Sequence, residues 1–142
     1  MMRTYSAKPL EVERSWYVVD AADKSVGRLA SHVAQLLRGK HKATFTYNQD
    51  VGDHVIIINA EKVRLTGNKG EELVYRHTMY PGGLRSVARG EMLEKRPEDL
   101  IYRAVWGMTP KTRLGRQIIK KLRIYRGTEH PHTAQNPKVL EV

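Results

Sequence analysis

"WYVVDAADKSVGRLASHVAQLLRGK", residues 16 to 40, decides the fold because its hydrophobic period changes partway through. Trp16 to Ala21 is a short aromatic and β-branched run, the composition of a buried strand. From Ser25 onward Val26, Leu29, Ala30, Val33, Leu36 and Leu37 recur every three or four positions, which puts them on one helical face. Ser25 stands where an N-cap belongs and Gly39 where a helix ends in a left-handed residue, while Arg28, Ser31, His32 and Gln35 make the polar face.

Downstream, HVIIINA (residues 54 to 60) is apolar without alternation, as in a strand whose two sheet faces are both covered by helices. Strand, helix and strand in this order predict a parallel βαβ unit and an α/β fold. AEKVRLTGNKG (60 to 70) reads as short helical or irregular chain entering a Gly-Asn-Lys-Gly turn, and ELVYRHT (72 to 78) as a strand leading to the Pro81-Gly82-Gly83 corner. ARGEMLEKRPEDLIYRAVWGM (88 to 108) predicts two helices broken at Pro97, with Glu98 and Asp99 at the positive end of the second and Leu100, Ile101, Ala104 and Val105 inward. LGRQIIKKL (114 to 122) predicts a basic helix with Leu114, Ile118, Ile119 and Leu122 inward, and RIYRG (123 to 127) a short strand or extended exit. There is neither an internal repeat nor a dividing linker, so residues 1–142 are expected to form one domain, with 1–14 and 128–142 as extended terminal segments.

The chain carries 25 Lys and Arg against 15 Asp and Glu, a net charge of +10, which favours a polyanionic partner. The excess is concentrated. From Leu100 to Thr128 there is no carboxylate, while Arg103, Lys111, Arg113, Arg116, Lys120, Lys121, Arg123 and Arg126 are all cationic. No apolar run approaches the roughly 20 residues that span a bilayer, so no membrane partner is expected. With no cysteine and no apolar leader in MMRTYSAKPLEVERS, a cytoplasmic location is expected.

Chemistry at the first strand–helix turn would require a nucleotide fingerprint, but DAADKSVGR has only Gly27, and TGNKG lacks the phosphate-loop pattern. Asp20 and Asp23 have no histidine partner in sequence and read as a cap and a solvated turn. There is no Gly-x-Ser-x-Gly elbow, and Glu129, His130 and His132 have no recognised metal-ligand spacing, so a hydrogen-bonded tail is the better reading there. No catalytic residue, metal or cofactor is expected, and a nucleotide-dependent enzyme is the most distant alternative. Four glycine-containing or basic loops remain: RGKHK (38 to 42), TGNKG (66 to 70), RHTMYPGGLR (76 to 85) and PKTRLGR (110 to 116). Arginine donates in pairs to phosphate and stacks on bases, and glycine admits close backbone approach, so these loops suit RNA.

The series WYVVDA and KSVGRLAS, LLRGKHK (36 to 42), GDHVIIINAEKVRLTGNK (52 to 69), YRHTMYPGGLR (75 to 85), the block Gly107 to Arg116 and the block Leu122 to Pro137 resembles, essentially end to end, the bacterial large-subunit ribosomal protein L13 family. The resemblance implies a three-layer α/β/α fold around a four-stranded parallel sheet. It also implies a structural constituent of the large ribosomal subunit that binds ribosomal RNA, supports early subunit assembly and translation, and neighbours other ribosomal proteins. A regulatory messenger RNA is a further partner such a surface would suit. Carried over position by position, the RNA contacts are Arg38, Lys40, His41, Lys42, Lys69, Arg76, His77, Gly82, Gly83, Arg85, Lys111, Arg113, Arg116 and Lys120. The chain departs from the family pattern at Trp106, where a basic or aliphatic residue is usual, and at Thr109, where an aliphatic one is.

Overall fold

The computed structural model describes residues 5–141. Its first strand, β1 (Trp16–Asp20), leads into α1 (Val26–Arg38) and then β2 (His54–Ile58), which pairs with β1 in parallel, Trp16 opposite His54. The βαβ unit is therefore present as the hydrophobic periods require. The sheet is completed by β5 (Leu122–Ile124) beside β2 and β6 (Lys138–Val139) beside β1, giving a four-stranded parallel sheet in the order β5-β2-β1-β6. The α/β architecture and the parallel sheet agree with the expectation.

Helix α1 ends as the sequence suggests, with Gly39 left-handed at φ 78° and the N–H groups of Gly39 and Lys40 donating to Leu36 and Gln35. Its start differs. The Ser25 hydroxyl makes no cap bond; instead Ser25 lies in a parallel bridge with Arg64, and Val26 N–H donates to the Arg64 carbonyl at 3.2 Å. Helix α2 (Arg89–Lys95) stops at Arg96, and α3 (Pro97–Met108) begins on Pro97, whose fixed φ and missing N–H suit a first helical position. Helix α4 (Arg113–Ile119) is shorter than its apolar spacing predicts, because Leu122 is the first residue of β5 rather than the last of the helix.

Residues one apart in a strand face opposite sides. Val19, Val55 and Ile57 join Leu29, Val33 and Leu37 of α1, Ile101 and Val105 of α3, and Ile118 and Ile119 of α4 in one core, each fully buried side chain contributing about 1.5–3 kcal/mol. On the opposite face Trp16 stacks flat on its register partner His54, ring centroids 4.2 Å apart and 8° from parallel, and His132 leans on Trp16 at 5.2 Å. The chain beyond Thr128 thus reaches the sheet twice, through His132 and through β6. Of the N-terminal segment, residues 1–4 lie outside the described ones; Ala7 is buried, and its N–H donates to Thr46 Oγ1. The strand expected in ELVYRHT is present as β3 (Leu73–His77), and an unexpected β4 (Leu84–Ala88) pairs with it antiparallel into a two-stranded ribbon outside the main sheet.

The Trp16 stack generates a pH dependence. Burial first, and then the charges of Lys121, Arg14 and Arg123 against the attraction of Asp50, hold the half-buried His54 below its ordinary value of 6.5. The unfolded chain accordingly binds this proton more readily, so stability falls as the pH drops through 6.5 toward the folded-state value, and the contribution is constant above 6.5 where both states carry the neutral ring. Urea unfolding at about pH 8 and at about pH 5 will therefore show a loss of stability at the lower value, and His54→Phe, which keeps an aromatic ring on Trp16, will make that loss smaller.

Candidate nucleic-acid interface

RHTMYPGGLR is the tip of the β3–β4 ribbon rather than a free loop. Gly83 N–H donates to the Tyr80 carbonyl at 2.9 Å, closing a turn with Pro81 second and Gly82, at φ 69°, third, the arrangement of a type II turn. Gly83 is required by space: a Cβ there would stand 2.1 Å from Thr78 Oγ1 and 2.7 Å from the Tyr80 carbonyl oxygen. Both glycines are therefore accounted for by the turn itself. His77 Nδ1 accepts the Met79 N–H at 2.9 Å, which leaves Nε2 as the outward donor of the neutral ring.

The ribbon's register separates two chemistries. Arg76 is directly opposite Arg85 and Val74 opposite Val87 on one face; Leu73, Tyr75 and His77 meet Ala88, Ser86 and Leu84 on the other. Like charges directly opposite each other destabilise an antiparallel pair, yet neither arginine has a carboxylate within ion-pair distance among the described residues. At the ribbon's foot the charges are paired, with Arg89 2.7 Å from Glu72. The apolar face is open: Tyr75, Leu84 and, at the tip, Tyr80 are 60%, 63% and 75% exposed.

RGKHK behaves differently along its length. Arg38 shares a small cleft with Phe45, Tyr47, Pro110 and Leu114, which brings this loop beside PKTRLGR, and Lys40 is exposed. His41 and Lys42 turn inward. They grip Asp53, which is 0% exposed: Lys42 Nζ donates to Oδ1 at 2.6 Å, His41 Nε2 lies 2.8 Å from Oδ2, and Ser15 N–H completes the shell at 2.8 Å. Lys42 also donates to the carbonyls of Glu13 and Val51. The signal that separates these two residues from Arg38 and Lys40 is the carboxylate of Asp53, shortly before the apolar run Val55 to Ile58.

In the acid-poor stretch the cations also divide. Lys121 is 7% exposed and donates to the carbonyls of Leu37 and Gly52 and to Asp50. Burial pushes its ammonium below the usual lysine range, opposed by the hydrogen bond and charge of Asp50. Arg126 pairs with Glu98 at 2.6 Å and donates to the Lys95 carbonyl. Arg113, Arg116 and Lys120, spaced three and four apart, run along the exposed side of α4 opposite Ile118 and Ile119, with no carboxylate partner among the described residues. Lys111 sits 4.3 Å above the Trp106 ring and donates to the Trp106 carbonyl. The two departures from the family pattern thus have local uses: Trp106 carries Lys111, and the buried Thr109 hydroxyl donates to the same Trp106 carbonyl at 3.1 Å. Gly115 is fixed by packing, since a Cβ would fall 1.8 Å from the Pro110 carbonyl oxygen.

Lys69 lies elsewhere, in the 3-10 turn Gly67–Gly70, at the rim of a groove beside the start of α1. The C-terminal histidines are engaged with the protein: His132 Nε2 is 2.8 Å from the Tyr125 hydroxyl, and His130 Nδ1 accepts the His132 N–H. Among the described residues no three His, Cys, Asp or Glu side chains gather as metal ligands.

Comparison with known proteins places this arrangement among relatives. The family model described as Ribosomal protein L13 matches residues 14–131. The chain is 63% identical over 143 residues to the large ribosomal subunit protein uL13 of Geobacillus kaustophilus, covering 100% of this chain and 99% of that one. It is 57% identical to the uL13 of Brevibacillus brevis, again over 100% and 99%, and 56% identical to that of Beutenbergia cavernae, over 99% and 97%.

The inward and outward members of RGKHK will respond differently to substitution. Asp53→Ala leaves Lys42 and His41 without their shared acceptor and will lower stability by about 3–5 kcal/mol. Lys40→Ala, at an exposed position, will change it by less than about 0.5 kcal/mol. Equilibrium urea unfolding of the two variants checks both values.

Proposed function

From the premise that this chain belongs to the ribosomal protein L13 family and is a structural protein of the large ribosomal subunit rather than an enzyme, we propose that it binds large-subunit ribosomal RNA through its outward-facing cations and thereby supports early assembly of the subunit. The observation that carries this reading is the pair Arg76 and Arg85. Two guanidinium groups on directly opposite residues of a ribbon, with no ion-pair partner among the described residues, are matched by the closely spaced phosphates of a nucleic acid, to which each donates in a bidentate manner. The outward face of α4, with Arg113, Arg116 and Lys120, and the Arg38 cleft beside it, extend the positive surface along a second part of the molecule. Tyr75 and Tyr80 add exposed rings on which unpaired bases stack. In this reading His41 and Lys42, both engaged by Asp53, act on RNA indirectly, by fixing the loop from which Arg38 and Lys40 project. The glycines of the Pro-Gly-Gly corner act likewise, by setting the ribbon's tip. Neighbouring large-subunit proteins have an open apolar surface in Leu73, Tyr75 and Leu84.

Replacing Arg76 and Arg85 together by alanine removes two charges that oppose one another in the free ribbon, so folding will be retained. Affinity for large-subunit RNA will fall by on the order of tenfold per arginine, about 1.4 kcal/mol each. The dependence of log affinity on log salt will flatten by roughly 0.7 to 0.9 for each phosphate that is no longer neutralised. Filter binding across a salt series reads both quantities, and the variant will be depleted from salt-washed large subunits. Unchanged affinity and slope would remove the ribbon from the interface.

A further inference from the structure

The groove at the carboxyl end of β1 is a built surface to which the basic loop TGNKG contributes Thr66 and Lys69. It has a volume of ≈ 870 Å³, and its lining includes Lys24, Arg28, His32, Arg64 and Lys69 around Gly27, with Asp23 as the sole acid. No ion pair or hydrogen bond engages the side chains of Lys24, Arg28, Arg64 or Lys69 among the described residues. The two walls come from the β1–α1 turn and from the chain after β2, and backbone bonds fasten them together: Arg64 N–H to the Lys24 carbonyl at 2.8 Å, Val26 N–H to Arg64 at 3.2 Å, and Asp23 N–H to Lys62 at 3.1 Å. The groove therefore exists before anything enters it. Open α/β sheets carry their ligands at this end, outside the carboxyl termini of the strands.

Gly27 supplies an independent argument. It is the second residue of α1, its φ is not in the left-handed region, and a Cβ there would meet nothing within 4 Å. Neither backbone geometry nor packing thus calls for glycine, which in a helix is less favourable than alanine by about 1 kcal/mol. Gly70, Gly107 and Gly127 have equally open surroundings and no left-handed φ, but of these four glycines only Gly27 lines the groove. A glycine that the fold does not need, exposed in the lining of a cationic groove, lets a ligand come against the main chain there. The volume would admit a small molecule, but small-ligand sites are mainly apolar with few polar groups. Here cations dominate the rim, and the dinucleotide fingerprint is missing from the turn.

We propose that this groove seats a stretch of sugar–phosphate backbone of ribosomal RNA, with Arg28, Arg64, Lys24 and Lys69 on its phosphates and Gly27 allowing the strand to reach the backbone of α1. The proposal rests on the RNA-binding reading above and adds a third contact surface, distinct from the ribbon and from the outward face of α4. Gly27→Ala tests it with two readouts that move in opposite directions. The thermal midpoint will rise by several degrees, from helix propensity, while affinity for large-subunit RNA will fall by on the order of tenfold. A stabilised variant with wild-type affinity would overturn the proposal. Should Gly27→Ala fail to fold, the double variant Arg28→Ala, Arg64→Ala decides alone: its salt slope will flatten by roughly 0.7 to 0.9 per arginine, and that change will add to the one from the Arg76, Arg85 double variant. If the groove variants keep the wild-type slope while the ribbon variant loses it, the groove is not an RNA contact and the RNA reading stands. If the unsubstituted protein binds large-subunit RNA no better than a control RNA of equal length, both fall.

Discussion

The fold turns on a cation buried where three pieces of chain meet. Lys121, between α4 and β5, donates to the Leu37 carbonyl at the end of α1, to the Gly52 carbonyl before β2, and to Asp50. It thereby satisfies a carbonyl that the end of α1 leaves open and holds that end against the entry to β2. Desolvation opposes this arrangement, so it stands only because its donors are engaged and Asp50 supplies the opposite charge. Geometry closes the knot: a Cβ on Gly52 would lie 1.7 Å from the Leu37 carbonyl oxygen, and Asp53, next along, gathers Lys42, His41 and the Ser15 N–H. Helix α1, both central strands and the RGKHK loop are positioned from this one place.

What was legible in the sequence was whatever local periodicity specifies. Strand β1, helix α1 with its Gly39 stop, strand β2 and the break at Pro97 are set by neighbours within a few residues. Strand β4 escaped because LRSVA is exposed along most of its length and has no core face to impose alternation. Strand β6 is two residues whose identity comes only from pairing with Tyr17 and Val18, far away in the chain. Leu122 was assigned to the helix because IIKKL keeps a helical spacing, whereas the register with Val55 makes it a strand residue. The candidate site was legible as charge but not as direction. Lys42, Lys121 and Arg126 are indistinguishable in sequence from Lys40, Lys120 and Arg123, and only the placement of Asp53, Asp50 and Glu98 separates them.

That separation organises the molecule. Cations with acidic or carbonyl partners are structural, and they cluster around the ends of α1 and α3 and the entry to β2. Cations without such partners lie on the ribbon, on the outer side of α4 and around the groove at the start of α1. In the free protein the second group repels itself; against a polyanion the same charges release counterions and add to affinity. The ribbon's arginines are then compatible with folding because they are far from the core, and the ribbon can be tuned for binding with little effect on the sheet.

The pairing of β6 with β1 has a consequence for the order in which the chain takes shape. β1 is made early and β6 late, so throughout elongation one edge of β1 stays open while α1, β2, the ribbon and the helices emerge. Folding ends, rather than begins, with the closing of the sheet, and the histidine that leans on Trp16 arrives in the same segment. A released chain truncated before Thr128 would retain every partner of Lys121 and yet present a bare strand edge beside a tryptophan that His132 no longer covers, the kind of surface that chaperones and proteases recognise.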